Sequence, residues 1–506
     1  MKLKELCIAA DVICPAAAEE QEIGSIETDS RYVRAGAMFV CIRGLHTDGH
    51  TYIADAVAAG AVCILTEEGA DHEETDGVIF LKAQNTRRAV ACLYNAWYGY
   101  PTQKLKIIGV TGTNGKTSVT HMLRAILEAS LCRCGLVGTV GCESAGRHLE
   151  SRSRDVLANM TTPDPADLYR ILSEMADDRV EYVLMEVTSH ALALGKLAPI
   201  KFEAAIFTNL TPEHLDFHGT MEEYANVKAT LFQNSKLSVI NCDSPYADRM
   251  IANATGRVVT CSVGKGADYT AEVLSGNEGG VTYQMQSGRS RLRLFCPIAG
   301  SFSVMNSMQS AVCALELGFG AAVVKDALAS LAGVKGRMER VKLGLGADFT
   351  VLIDYAHTPD ALENLLRSAA QIKKTGQRIV LVFGCGGDRD KSKRAVMGRI
   401  ACEYADRVIV TSDNSRNEEP IDIIKDILKG IDPQKDHTVI PDRREAIQYA
   451  IQHAKKGDLI LLAGKGHEEY EITKEGRAPF CEKEIVREAF AARRRKNNAD
   501  TTESER

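Results

Sequence analysis

At 506 residues the chain is too long for a single core and predicts about three domains of roughly 150 residues each. Its 45% apolar and 25% charged residues and net charge of −6 describe an ordinary globular chain, with no basic excess to draw nucleic acid or anionic lipid. A cytoplasmic monomer with small-molecule partners is expected, with no nucleic acid and no membrane; the apolar stretch near the start is too short and too charged to read as a secretion signal.

The first region, to residue 103, holds short apolar runs at Ala37–Ile42 and Ala61–Leu65 among glycine-rich turns, as in a small α/β domain. The second, 104–335, opens with an apolar strand from Lys106 that breaks into Thr111-Gly112-Thr113-Asn114-Gly115-Lys116-Thr117. A helix-compatible segment from Ser118 to Ala129 follows, so the turn aims backbone N–H groups and a positive helix end at a polyphosphate. Lys116 then offers a point charge and Thr117 a hydroxyl for magnesium. Val110 stands where the general phosphate-loop pattern has its first glycine, and Gly112 lies inside the loop instead. ATP is the expected ligand.

Strand-like runs at Tyr182–Val187, Ala204–Thr208 and Leu237–Asn241 alternate with helical segments, which predicts a mainly parallel sheet. The first delivers Glu186 to its C-terminal end, the edge where open α/β sheets bind ligands, and a carboxylate there suits magnesium. The second leads into Asn209 to His218, where His214 or His218 is a candidate metal ligand and His214 is the choice. The helix from Thr220 opens with a T-x-x-E capping box. Met221, Tyr224, Ala225, Leu231 and Phe232 mark its apolar face, and Lys228 lies on that face. A desolvated lysine has a lowered pKa, which leaves ion pairing, base or nucleophile chemistry, and carbamylation by CO2 as readings.

The third region, 336–492, repeats the alternation at Phe349–Tyr355, Arg378–Gly384, Arg407–Thr411 and Leu459–Ala463, a second doubly wound domain of Rossmann type. Gly384-Cys385-Gly386-Gly387-Asp388-Arg389 lacks the sixth glycine of a dinucleotide turn, so NAD is not expected. Arg389 and Arg416, on loops after successive strands, with Asp413 between them in sequence, suit an amino acid: guanidinium for carboxylate, acid for ammonium. The loop Gly464 to Glu468 is a third such element. Residues 493–506 are polar and read as a disordered tail. The fifteen cysteines are dispersed in apolar surroundings without C-x-x-C spacing, so buried free thiols are expected.

Taken together, the motifs resemble the Mur ligase family, in particular its tripeptide-forming branch. The likeness runs through Asp29-Ser30-Arg31, Asp48-Gly49-His50, TGTNGKT, TTPD at 161–164, MEVTSHAL, FTNLTPEHLDFHGTMEEY, GRMERV at 336–341, DYAHTPDAL at 354–362, GCGGDRDKSK and AGKGHE. It implies ATP-dependent amide formation through an acyl phosphate, with UDP-MurNAc-L-Ala-D-Glu as acceptor. By the same resemblance Thr117, Glu186, His214 and a carbamylated Lys228 hold magnesium. The phosphate loop from Gly112 to Ser118 binds ATP, and Asn306, Arg337 and His357 approach the nucleotide from the other domain. Ser30, Thr161, Thr162, Thr188 and Lys196 contact the UDP-muramyl substrate. Arg389, Asp413, Asn414, Ser415, Arg416, Gly464 and Glu468 bind the incoming amino acid, and the tetrad ending in Arg416 points to meso-diaminopimelate over L-lysine. The chain departs from the family pattern with Ser415 for proline, Lys196 for arginine and Ser303 for asparagine.

Overall fold

The computed structural model describes residues 1–44, 47–70, 75–151, 160–264 and 266–504, with 497–504 described by backbone alone. Strands β1 (Ser25–Glu27), β2 (Ala37–Val40), β3 (Ala61–Glu67) and β4 (Ile79–Ala83) form a parallel sheet in that order. Helices Leu3–Ala10 and Thr86–Trp97 pack together against it.

The central sheet is built from β5 (Lys106–Thr111), β6 (Cys134–Gly138), β7 (Gly141–Ser144), β8 (Arg147–Leu149), β9 (Tyr182–Glu186), β10 (Phe202–Phe207), β11 (Ser235–Asn241), β12 (Arg257–Ser262), β13 (Tyr269–Asn277), β14 (Gly280–Ser287) and β15 (Ser290–Cys296). Its heart is parallel, in the order β13-β12-β11-β10-β5-β9-β6, and antiparallel strands extend both ends. Buried on both faces, these strands read as continuous apolar runs. Alternation along them joins the domains. Ile107, Val183 and Met185 face a core shared with the N-terminal domain, while Ile108, Val110 and Leu184 face one shared with the C-terminal domain.

The helix Lys116–Ala129 buries Val119, Met122, Leu123, Ile126 and Leu127, a stripe at helical spacing laid on the second of those faces. Beside it lies Phe302–Glu316, a nearly wholly buried helix whose Ser303, Ser307 and Ser310 hydroxyls bond back to carbonyls four residues earlier.

The C-terminal sheet comprises β16 (Glu339–Arg340), β17 (Thr350–Asp354), β18 (Ile379–Phe383), β19 (Arg407–Val410), β20 (His437–Val439) and β21 (Leu459–Ala463), ordered β16-β17-β21-β18-β19-β20 and parallel except for β16. The expected disordered tail is helical instead: the final helix runs Glu482–Ser504. Arg493 extends it by donating to the Ile451 carbonyl at 2.7 Å while lying 5.2 Å over the Phe349 ring, and the following Arg and Lys residues are good helix formers. The last two residues of that tail lie outside the described set. All fifteen cysteines are free, nine buried and six half-buried. No helix among the described residues is long and apolar enough to cross a membrane.

Candidate active site

The phosphate loop follows β5 as the spacing predicts. Gly115 takes φ 87° as the residue before the helix, a left-handed conformation that a side chain would strain. The Lys116 ammonium folds back onto its own loop, donating to the Gly112 and Thr113 carbonyls at 2.9 and 2.8 Å, and burial lowers its pKa.

Glu186 shares its face of β9 with Leu184, which turns the carboxylate toward the loop helix. It is 1% exposed and accepts from the Thr117 hydroxyl at 3.0 Å and from the Thr139 N–H and hydroxyl, each at 2.9 Å. Arg337 reaches across from the C-terminal domain to donate to the Thr117 hydroxyl at 3.1 Å. Hydroxyl and carboxylate side by side fit a hard cation that takes oxygen ligands. Among the described residues no three His, Cys, Asp or Glu side chains converge on one point, so a metal here would complete its shell from phosphate and water oxygens, as magnesium commonly does. His214 is not part of that donor set. It sits in a left-handed conformation, half-exposed, with Nε2 3.9 Å from Glu213 and its ring 4.9 Å from the His190 ring.

Lys228 is buried as the helix pattern predicts. Thr220 caps the helix Met221–Ala229 by accepting from the Glu223 N–H, which supplies one half of the expected capping box. The Lys228 Nζ donates to the Gly112 carbonyl at 3.0 Å, is 3.4 Å from the Thr111 hydroxyl and lies 4.8 Å over the Tyr224 ring. Burial, reinforced by repulsion from Lys116, pushes its pKa well below the usual lysine value. Among the described residues no carboxylate forms an ion pair with it, and its charge support comes from the more distant Glu213. His218 packs on Tyr224 and meets the Ser189 hydroxyl at 2.8 Å; burial lowers its pKa to about 4.

Between the central and C-terminal domains opens a cavity of about 1290 Å³. Thr161 and His214 line it from one side, and His357, Arg389, Asp413, Asn414, Arg416, Gly464 and Glu468 from the other. The Arg416 guanidinium donates to the Gly387 carbonyl at 2.9 Å, holding it against the Arg389 loop. Burial and then repulsion from Arg416 lower the Arg389 pKa, the mark of two cations waiting for an anion. Beside them, Asn414 donates to Glu468 at 2.8 Å and accepts from the buried Lys465 at 2.9 Å. Burial acts upward on the Asp413 carboxyl, but Lys465 and Arg443 outweigh it and hold it below the ordinary range. Burial and then Asp413 push Glu468 up.

Several expected contacts lie elsewhere. Thr162 donates to the Glu186 carbonyl and Thr188 caps the Ala191 N–H, both just behind the cavity wall. Lys196 pairs with Asp164 at 2.7 Å. Ser30 belongs to a short turn, Ser30–Tyr32, in the N-terminal domain and does not line the cavity. Ser415 is buried beneath the loop instead of facing the cavity. Asn306, expected from the other domain, belongs to the central one: it stands on helix Phe302–Glu316 directly against Gly115, because that helix packs beside the phosphate-loop helix. The sequence reading passed over Glu213, where burial acts upward but His214, His357, Lys116 and Lys228 hold the carboxyl low. It also passed over Thr139, whose only signal was its place just past the end of β6, and over Arg443, which carried no local signal.

Three family models match the chain: Mur ligase family, catalytic domain, over 22–98; Mur ligase middle domain over 110–314; and Mur ligase, glutamate ligase domain, over 336–466. The chain belongs to the Mur ligase family. A UDP-N-acetylmuramoyl-L-alanyl-D-glutamate--2,6-diaminopimelate ligase from Clostridium tetani is 40% identical over 491 residues, covering 96% of this Mur ligase and 99% of the relative. The ligase of the same name from Caldanaerobacter subterraneus is 43% identical over 472 residues, covering 93% and 95%. A solved structure of a UDP-N-acetylmuramoyl-L-alanyl-D-glutamate--2,6-diaminopimelate ligase aligns with a TM-score of 0.68 at 31% identity, over 98% of this Mur ligase and all of that chain. A MurF ligase from Thermotoga maritima in complex with ADP shares the fold, with a TM-score of 0.58 at 19% identity over 94% and 98%.

Proposed function

We propose that this chain uses ATP to join meso-2,6-diaminopimelate to the D-glutamyl carboxylate of UDP-N-acetylmuramoyl-L-alanyl-D-glutamate, as a monomer in the cytoplasm. The observation that carries the reading is that Arg389 and Arg416 line one cavity together with Asp413 and Glu468. Guanidiniums beside carboxylates suit the distal carboxylate and ammonium that distinguish diaminopimelate from lysine. The names of the relatives agree with it.

In the reaction a carboxylate oxygen attacks the γ-phosphorus of ATP and the bond to the β-phosphate oxygen breaks, releasing ADP. The amine then attacks the acyl carbon, phosphate leaves with the C–O bond, and the amine gives up a proton. Lys116, released from its loop carbonyls, neutralises charge on the transferring phosphoryl, where positioning and electrostatics dominate. Arg337 draws the C-terminal domain onto the loop, and Asn306 supports the loop from behind. Thr117 and Glu186 would hold magnesium, which supplies charge stabilisation at the phosphates. Thr161, Thr162, Thr188, Lys196 and Ser30 are assigned to the muramyl substrate.

The desolvated Lys228 amine, its pKa lowered by burial, is suited to add CO2 with loss of a proton and present a carbamate, an anion on a long arm beside the phosphate loop. Lys228→Ala is expected to abolish ligation, with bicarbonate unable to restore it; full activity would remove the carbamate from the scheme.

The purified protein should be offered meso-diaminopimelate, L-lysine and L-ornithine in parallel, with ATP and the muramyl dipeptide, while ADP release is followed. Meso-diaminopimelate is expected to be preferred. A preference for L-lysine would overturn the specificity, and ADP release independent of any amino acid would overturn the ligase reading.

A further inference from the structure

The C-terminal domain grips the phosphate loop through Asp360, a carboxylate inside the run at 354–362 that the sequence reading left without a separate role. Asp360 stands in the first turn of the helix Pro359–Ile372. Its Oδ2 accepts from the Asn114 side-chain amide at 2.6 Å and from the Thr211 hydroxyl at 3.3 Å. Both donors belong to the central domain, Asn114 in the phosphate loop and Thr211 in the loop after β10.

The backbone of Asn114 is already committed within its own domain. Its N–H donates to the Asn209 side chain at 2.9 Å, and its carbonyl accepts from the Thr208 hydroxyl at 2.6 Å and the Asn209 amide at 3.1 Å. The side chain alone is held from across the domain boundary. Thr211 leads deeper: its N–H donates to the Thr113 hydroxyl at 3.0 Å, that hydroxyl lies 3.3 Å from the Tyr224 hydroxyl, and the Tyr224 ring carries Lys228. One carboxylate therefore touches the phosphate loop directly at Asn114 and, through Thr211, the residues that cradle Lys228. Thr358 and Pro359, immediately before Asp360, line the cavity together with the amino-acid residues of the same domain.

We propose that Asp360 is a positioning residue: docking of the C-terminal domain brings it onto Asn114 and Thr211, so that the phosphate loop is held in shape only when the domain carrying the amino acid is in place. A hydrogen bond to a carboxylate is stronger than one between neutral groups, and deleting one partner leaves the other unmet at a domain interface. Domain closure completing a catalytic arrangement is a common use of such contacts. The proposal rests on the ligase reading above.

A double-mutant cycle on amino-acid-dependent ADP release tests it. Asp360→Ala and Asn114→Ala are each expected to lower kcat about ten- to a hundredfold, and the double variant to fall no further than the weaker single. Asp360→Asn keeps an acceptor oxygen for Asn114 and is expected to recover most of the rate. Melting temperatures of all variants are read alongside, and if Asp360→Ala does not fold, Asp360→Ser takes its place in the cycle. An active wild type with Asp360→Ala within about twofold of its kcat, or with single effects that multiply in the double variant, overturns this proposal alone. A wild type without amino-acid-dependent ADP release overturns the ligase reading and this proposal together.

Discussion

Gly138, the last residue of β6, is predicted to be intolerant of a single methyl group. A Cβ built there would sit 2.3 Å from Glu186 Oε1 and 2.9 Å from its carboxyl carbon, where real Cβ contacts essentially never fall below 3.0 Å. In Gly138→Ala the carboxylate must therefore retreat by about 0.7 Å, stretching its 2.9–3.0 Å bonds to Thr117 and Thr139 beyond useful length. Hydrogen bonds to a charged group contribute about 1.5–3 kcal/mol each. Losing one therefore predicts a fall in kcat of about ten- to 150-fold, because Glu186 no longer meets Thr117 at the phosphate loop. The assay is coupled ADP release at saturating substrates, with thermal unfolding in parallel to show that the fold persists. A Gly138→Ala enzyme within about twofold of wild-type kcat would refute the claim that Glu186 must occupy this position.

Three further outcomes follow from buried charge. Lys228→Met should lose activity while its melting temperature stays level or rises, because a desolvated amine is replaced by an apolar chain of similar size; a marked fall in melting temperature would contradict that. The His218 imidazole is held at about 4 in the fold against an ordinary 6.5, so the unfolded chain takes up its proton first and stability, full above pH 6.5, is lost as pH falls toward 4. That loss amounts to about 2 kcal/mol at pH 5 by linkage, and urea unfolding of His218→Gln should show a correspondingly flatter pH dependence between 7.5 and 5. Arg443, wholly buried, donates to Glu482 at 2.9 Å and to the Ser412 and Ala463 carbonyls at 3.1 and 2.8 Å. Arg443→Leu should cost about 3–5 kcal/mol in urea unfolding and the double Arg443→Leu, Glu482→Leu variant much less; equal losses in the two would show that the pair is not the source.

The strand β5, the Lys116–Ala129 helix and the strand ends bearing Glu186, Arg389 and Arg416 were legible because their signals are local. Apolar runs of strand length, a glycine-rich turn before a helical stripe, and a charged residue at the end of an apolar run are all written within a dozen residues. Lys228 was legible for the same reason, as a cation out of place on an apolar helix face. The tail was misread because its composition is polar, while its order comes from Arg493 reaching Ile451 and Phe349, residues more than forty positions away. Asn306 was grouped by resemblance with Arg337 and His357 although its place within 104–335 already put it in the central region; what its segment does not show is that its helix sets it against Gly115.

The sequence by itself determined the α/β class, three successive regions with parallel sheets in the second and third, the nucleotide loop and the residue types of a ligase site, because propensity, periodicity and loop chemistry depend on neighbours along the chain. Only the tertiary structure decided that Thr139 and Gly138 shape the seat of Glu186, that Lys228 meets the Gly112 carbonyl and the Tyr224 ring, and that Asp360 of one domain holds Asn114 of another. Those facts depend on which strand ends meet across a sheet and on how two domains dock, and such contacts between distant residues leave no trace in the spacing of either segment.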